Sequence, residues 1–299
     1  MSTDAEPGGR GVHGGGSRRG QPSLRAPARR ASGGPGGGPV APGDDTPTRL
    51  PRRTPSRPGP LFPGWLIELF PDAGEAGGCF VPMLRRHDTG VRGAAGDPER
   101  SRAEAGRRAR ARLRRYGAAN RLNRMGTLTY GPPRCTDAVE LRGHVAQFFR
   151  ELRADLGGKP FPYIWVPELH ADRVHWHVHF AVGQHIARST IRRAWGRGLI
   201  HMPQINDLPV GSTTRDEARA AARYLAKYVT KDFPTHVTGL HRYEVAQGFQ
   251  PVHETLRGPT ADAVIEKASL RMGGPPSRYW NSEQAENWRA APAIWVSWS

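Results

Sequence analysis

From Met125 onward the apolar residues recur at either the period of a strand or the period of a helix, and the changes between the two mark out elements. "MGTLTY", Met125 to Tyr130, alternates as a strand does and is stopped by "GPP". Thr136 is placed to cap a helix reaching about Leu156, with Val139, Val145, Phe148, Phe149 and Leu152 as its apolar stripe. "PYIWVPEL" and "RVHWHVHFAV" then read as two strands joined by a short turn near Ala171 to Arg173, most simply an antiparallel hairpin. A short helix follows at "STIRRAWG", capped by Ser189, and after it a strand at "GLIHMPQI". Thr214 and Glu217 form a capping box that opens the helix "RDEARAAARYLAKYVTKDF", and Pro234 limits its continuation. A strand near "PVHETL", a helix from about Ala261 to Met272 and a Trp-rich tail complete the pattern. This order predicts an α+β fold, an antiparallel sheet with helices gathered on one face.

Upstream of Met125 the pattern fades. Residues 1–60 are mostly Gly, Pro, Ser, Ala and Arg, with too few aromatic and β-branched residues to offset chain entropy, and are expected to form a disordered basic arm. A linker at 61–106 holds one apolar segment, "LFPGWLIELF". A catalytic domain is expected at 107–272 and the Trp-rich tail at 273–299.

Charge adds a partner to this picture. The chain carries a formal charge of +17, and residues 1–125 hold 23 Arg against 11 acids. The densest stretch, "RRARARLRRYGAANRLNR", is basic on nearly every helical face. Arg107, Arg108, Arg110, Arg112, Arg114 and Arg115 are therefore expected to contact a polyanion, nucleic acid above all. Two widely separated cysteines, no apolar run near the length of a membrane span and no secretory core at the N-terminus suggest a cytoplasmic protein without a membrane partner.

The candidate chemistry begins with four histidines among ten residues in "ELHADRVHWHVHFAVG". On a strand His175, His177 and His179 share one face, while Val174, Trp176, Val178, Phe180 and Val182 line the other. A turn centred between Asp172 and Arg173 places Glu168 opposite His177. One carboxylate beside two or three imidazoles is a coordination shell for a divalent metal with positions left open. A zinc hydrolase of the H-x-H-x-D-H type is disfavoured, because Phe180, Ala181 and Val182 follow His179. A non-haem iron site of two histidines and a carboxylate stays open.

The second constellation is "YLAKYVTK". Helical spacing stacks Tyr224 over Tyr228 and Lys227 over Lys231, with Ala218, Ala221, Ala222, Leu225 and Val229 as the buried stripe. Only four lysines stand among 44 basic residues, so two of them beside paired tyrosines are unlikely to arise from composition alone. Their charge would favour a phenolate, most of all at Tyr228.

"TLTY", "HVHF" with upstream Glu168, and "YLAKYVTK" occur in the order found in the HUH endonucleases, and the chain resembles the rolling-circle replication initiators of actinobacterial plasmids and integrative elements. That resemblance implies a ferredoxin-like palm. It assigns His177 and His179 as the paired ligands, with His175 as the alternate, and Glu168 as the third ligand of Mg or Mn. Tyr228 or Tyr224 would attack the DNA backbone, with Lys227 and Lys231 beside them. It further implies single-stranded or supercoiled origin DNA as substrate and a host polymerase as partner. No G-x-x-x-x-G-K-[ST] motif is present, so a host helicase would unwind the duplex. Two readings compete: a non-enzymatic DNA-binding regulator, and a 2-His-1-carboxylate iron oxygenase.

Overall fold

The computed structural model describes residues 63–82, 98–203, 208–230, 240–286, 288 and 290–299, all within one unit, Arg57–Ser299. The basic arm expected at 1–60, and Lys231, lie outside the described residues. In chain order the elements are β1 (Gly64–Phe70), β2 (Glu75–Val81), α1 (Pro98–Ala119), β3 (Arg124–Tyr130), α2 (Ala138–Asp155), β4 (Tyr163–Leu169), β5 (Trp176–Val182), α3 (Arg188–Trp195), β6 (Gly198–His201) and α4 (Thr214–Thr230). They continue with β7 (Glu244–Val245), β8 (Glu254–Gly258), α5 (Ala261–Met272), β9 (Arg278–Asn281), a 3-10 turn and β10 (Ala293–Ser297).

The first sheet has the order β6-β3-β5-β4-β7 with every pairing antiparallel. Its core, β3-α2-β4-β5-α3-β6, is a split β-α-β-β-α-β unit, which is the ferredoxin-like arrangement. α2 and α3 cover one face. Leu128, Tyr130, Trp165, Trp176, Val178 and Phe180 meet Leu141, Val145, Phe148, Phe149, Ile191 and Trp195 there. Each large apolar side chain buried in this way is worth roughly 1.5–3 kcal/mol. Gly126 sits opposite Phe180, and a Cβ on it would approach the Phe180 ring to 2.4 Å, so the strand needs glycine where the ring crosses it.

The gathering of helices on one face holds for α2 and α3 alone. α1 and α4 cover the other face, where Leu113, Tyr116, Ala221, Ala222, Leu225 and Val229 pack on Ile164, Val166 and Ala181. The alternating pattern of β4 and β5 conceals this second cover, because the apolar contacts of that face end at Ala181 and histidines continue it.

The linker and tail segments prove to be a second antiparallel sheet, β8-β1-β2-β10-β9, with α5 on one side of it over Ile67, Leu69, Leu256, Ile294 and Val296. Its other side docks on α1 through charge. Glu75 on β2 is fully buried and accepts from Arg114 Nε at 2.8 Å, Arg114 Nη2 at 3.1 Å and Arg115 Nε at 2.8 Å. Arg219 on α4 adds donors to the carbonyls of Ala73, Gly74 and Trp298.

Three helix starts differ from expectation by one residue or in kind. Asp137, one residue after Thr136, caps α2 by accepting from Glu140 N at 2.7 Å. Ala187 precedes α3 without any side-chain cap, which places Ser189 in the first turn. Thr213 and Asp216 form the capping box of α4, with Asp216 N donating to Thr213 Oγ1 at 3.2 Å and Thr213 N to Asp216 Oδ2 at 3.0 Å. Glu217 is thereby released to accept from Asn123 Nδ2 at 2.6 Å.

Candidate metal and tyrosine centre

β4 and β5 pair with Glu168 opposite His177 and Val166 opposite His179, which is the register a turn between Asp172 and Arg173 requires. The turn is fixed locally. Asp172 Oδ1 accepts from the backbone N of Val174 and His175 at 2.9 and 3.1 Å, and Arg173 takes a left-handed φ of 57°. Because β3 flanks β5 on its other side, Thr127 lies beside His179.

Glu168, His177 and His179 converge. Glu168 Oε2 lies 2.6 Å from His177 Nε2 and 2.8 Å from His179 Nε2, and the two imidazole nitrogens are 3.1 Å apart. Three ligands on octahedral positions at about 2.1 Å from one ion would be about 3.0 Å apart, so the set fits a divalent ion with shifts of a few tenths of an ångström. Each imidazole is also held from behind, as metal-binding histidines generally are. Thr127 Oγ1 is 3.0 Å from His179 Nδ1, and His170 Nε2 is 3.2 Å from His177 Nδ1. His179 is only 5 % exposed. Sequence reasoning missed both supporting residues. Thr127 was within reach of it, since "TLTY" and "HVHF" are neighbouring strands.

His175 does not join the set. It lies outside β5 and its Nδ1 is 2.7 Å from Asp172 Oδ2. That hydrogen bond, with the backbone donors of Val174 and His175, holds the Asp172 carboxyl far below the usual range.

α4 brings the tyrosines to the same place. The Tyr228 ring stacks on the His179 ring with centroids 3.8 Å apart and planes 16° apart. Tyr224 meets Tyr228 edge-on at 5.4 Å and His179 at 6.5 Å. Tyr224 is the more open of the two, at 36 % exposed. The expected electrostatics differ from those observed. Lys227 Nζ stands 5.4 Å from the Tyr224 ring, not over Tyr228, and Tyr228 has its pKa pushed up by burial, by its hydrogen bond to Tyr224 and by the nearby Tyr224 and Glu168 charges. The helix angle accounts for this, since adjacent residues such as 227 and 228 point about 100° apart.

The six arginines of α1 divide. Arg107 and Arg110 are exposed and line a groove between α1 and α4. Arg108 is 3.7 Å from Glu104. Arg112 is exposed at a separate cleft with Tyr243 and Gln247. Arg114 and Arg115 are engaged with Glu75, an interaction invisible to a local reading because the acid lies about forty residues upstream.

Fold and centre together define a ferredoxin-like sheet presenting two histidines and a glutamate beneath a pair of helical tyrosines. Residues 123–233, from the start of β3 through α4, match the family model of the replication-associated proteins of the ORF2 type, so this stretch of the chain is similar to that family. No curated protein and no solved structure gives a match. Among the described residues no helix is long and apolar enough to cross a membrane.

Proposed function

We propose that this protein is a rolling-circle replication initiator that nicks and rejoins one strand of origin DNA through a tyrosine-linked intermediate. The observation that carries the reading is the stack of Tyr228 on His179, which puts a nucleophile in contact with the metal-ligand set. The similarity to replication-associated proteins over residues 123–233 agrees with it.

Glu168, His177 and His179 would hold Mg or Mn, which when bound supplies Lewis-acid stabilisation of the charge on a scissile phosphate. Tyr228 is the nearer nucleophile. Its oxygen forms a bond to phosphorus, its proton passes to solvent or a neighbouring base, and the bond from phosphorus to the 3′ oxygen breaks. The products are a 5′-phosphotyrosine and a 3′-hydroxyl. A host polymerase would extend that hydroxyl after a host helicase opens the duplex. Tyr224, on the same face, would attack in the second transfer. The ester preserves the phosphodiester bond energy, so rejoining requires no nucleotide hydrolysis.

The test is incubation of the full chain with supercoiled and single-stranded DNA carrying its origin, with and without Mn²⁺, followed by mass spectrometry of any DNA-linked peptide. A metal-dependent adduct on Tyr228 or Tyr224 is expected, and its loss in the His177→Ala, His179→Ala double variant. DNA binding with no adduct would favour the regulator reading. Iron-dependent absorption without nicking would favour the oxygenase.

A further inference from the structure

Sequence reading left the tryptophans of the tail without a role, and the structure brings them to the basic groove. On the α1 wall, the Arg107 guanidinium lies 5.6 Å from the Trp288 ring and that of Arg114 lies 5.2 Å from Trp295. Trp280 meets Trp288 edge-on at 5.4 Å. On the α4 wall stand Arg223 and Lys227, and Lys227 reaches the Tyr224 ring. Cations and rings therefore adjoin one another from Trp280 to His179.

Trp280 and Trp288 are half-buried and belong to none of the apolar clusters. The core of their own sheet lies on the side that α5 covers. Packing alone does not require indoles here.

We infer that the groove between α1 and α4, together with Trp280 and Trp288, is the track that holds single-stranded DNA on its way to the tyrosines. Its cations would take the phosphates, and the indoles would stack unpaired bases. The inference rests on the replicative reading of the same site. Charge complementarity selects a nucleic acid, and the rings select a single strand, because a duplex hides the faces of its bases whereas every unpaired base offers one. From Arg107 to Arg114 a helix rises about 10 Å, room for roughly three phosphates at the stacked spacing of about 3.4 Å.

The test uses the full chain and a fluorescent oligothymidylate of about thirty nucleotides, with a duplex of the same length as comparison. Trp288→Ala and Trp280→Ala should each weaken oligothymidylate binding about tenfold and leave duplex binding unchanged, while Trp288→Phe restores affinity. The triple variant Arg107→Gln, Arg110→Gln, Arg223→Gln should lower the log-log salt slope on the single strand by about 2. Thermal unfolding of each variant, and the Phe rescue, separate lost contacts from lost fold. Unchanged oligothymidylate binding in the Trp variants, or an equal loss on duplex, overturns the track. A wild type that forms the tyrosine adduct but binds oligothymidylate independently of these residues would leave the nicking reading standing without the track. One that binds through these residues but forms no adduct would support the track and overturn the nicking.

Discussion

Each candidate ligand is restrained by the side chain that stands behind it. Thr127 Oγ1 and His170 Nε2 each meet the Nδ1 atom of a ligand histidine, so both Nε2 atoms are turned toward Glu168. Removing such a support usually costs about 10- to 100-fold in metal affinity. Thr127→Val, which keeps the shape and deletes the hydroxyl, should therefore weaken Mn²⁺ binding by at least about tenfold in calorimetry, with unfolding unchanged. His175→Ala should bind Mn²⁺ like the wild type, because that imidazole is held by Asp172 instead. A reversal of the two results would move the ligand pair upstream.

Among the helices, α4 delivers two phenols to a strand pair, and their order depends on distance. Tyr228 touches His179, whereas Tyr224 stands farther off and nearer solvent. Tyr228→Phe keeps the stacked ring and deletes the oxygen, so it should abolish the first covalent adduct. Tyr224→Phe should still form that adduct and fail to release a closed circle. An adduct that persists in Tyr228→Phe and maps to Tyr224 would reverse the order. Helix α1 yields a different prediction. Glu75→Gln leaves two guanidiniums at a partly buried contact without their shared charge and should destabilise the fold by about 3 kcal/mol, read by urea unfolding. Arg114→Gln and Arg115→Gln should likewise act on stability before they act on DNA affinity. These elements also show what the sequence made legible. The β4–β5 register could be read because Asp172 and Arg173 mark a turn and one face of each strand is unbroken apolar. The α4 stripe could be read because its alanines and leucine recur at helical spacing. The engagement of α1 arginines could not, since Glu75 sits in "EAGGCFV", a glycine-rich stretch with no alternation. Its place in a sheet depends on β1 on one side and β10 from the far end of the chain on the other.

Across the molecule, the first sheet is clamped from both faces, and each clamp contains a tyrosine whose hydroxyl is bonded inside. Tyr116 on α1 donates to the carbonyl of Ala246 at 3.1 Å, and Tyr130 on β3 lies 3.1 Å from His144 Nδ1. Burial, with Tyr163 beside the first and Cys135 beside the second, pushes both phenols well above their ordinary value of 10. Below that pH the phenols are protonated in folded and unfolded chains alike. As the pH rises past 10, the unfolded phenols release protons that the folded ones retain, so the unfolded state binds fewer protons and stability must fall. Urea unfolding at intervals from about pH 8 to 11 should show this decline beginning near 10. Tyr116→Phe should flatten it by removing one of the two groups, at some cost in stability at neutral pH from the lost hydrogen bond to Ala246. A pH dependence identical in the variant and the wild type would show that Tyr116 ionises equally in both states, and that the clamp on the α1 face is open to water.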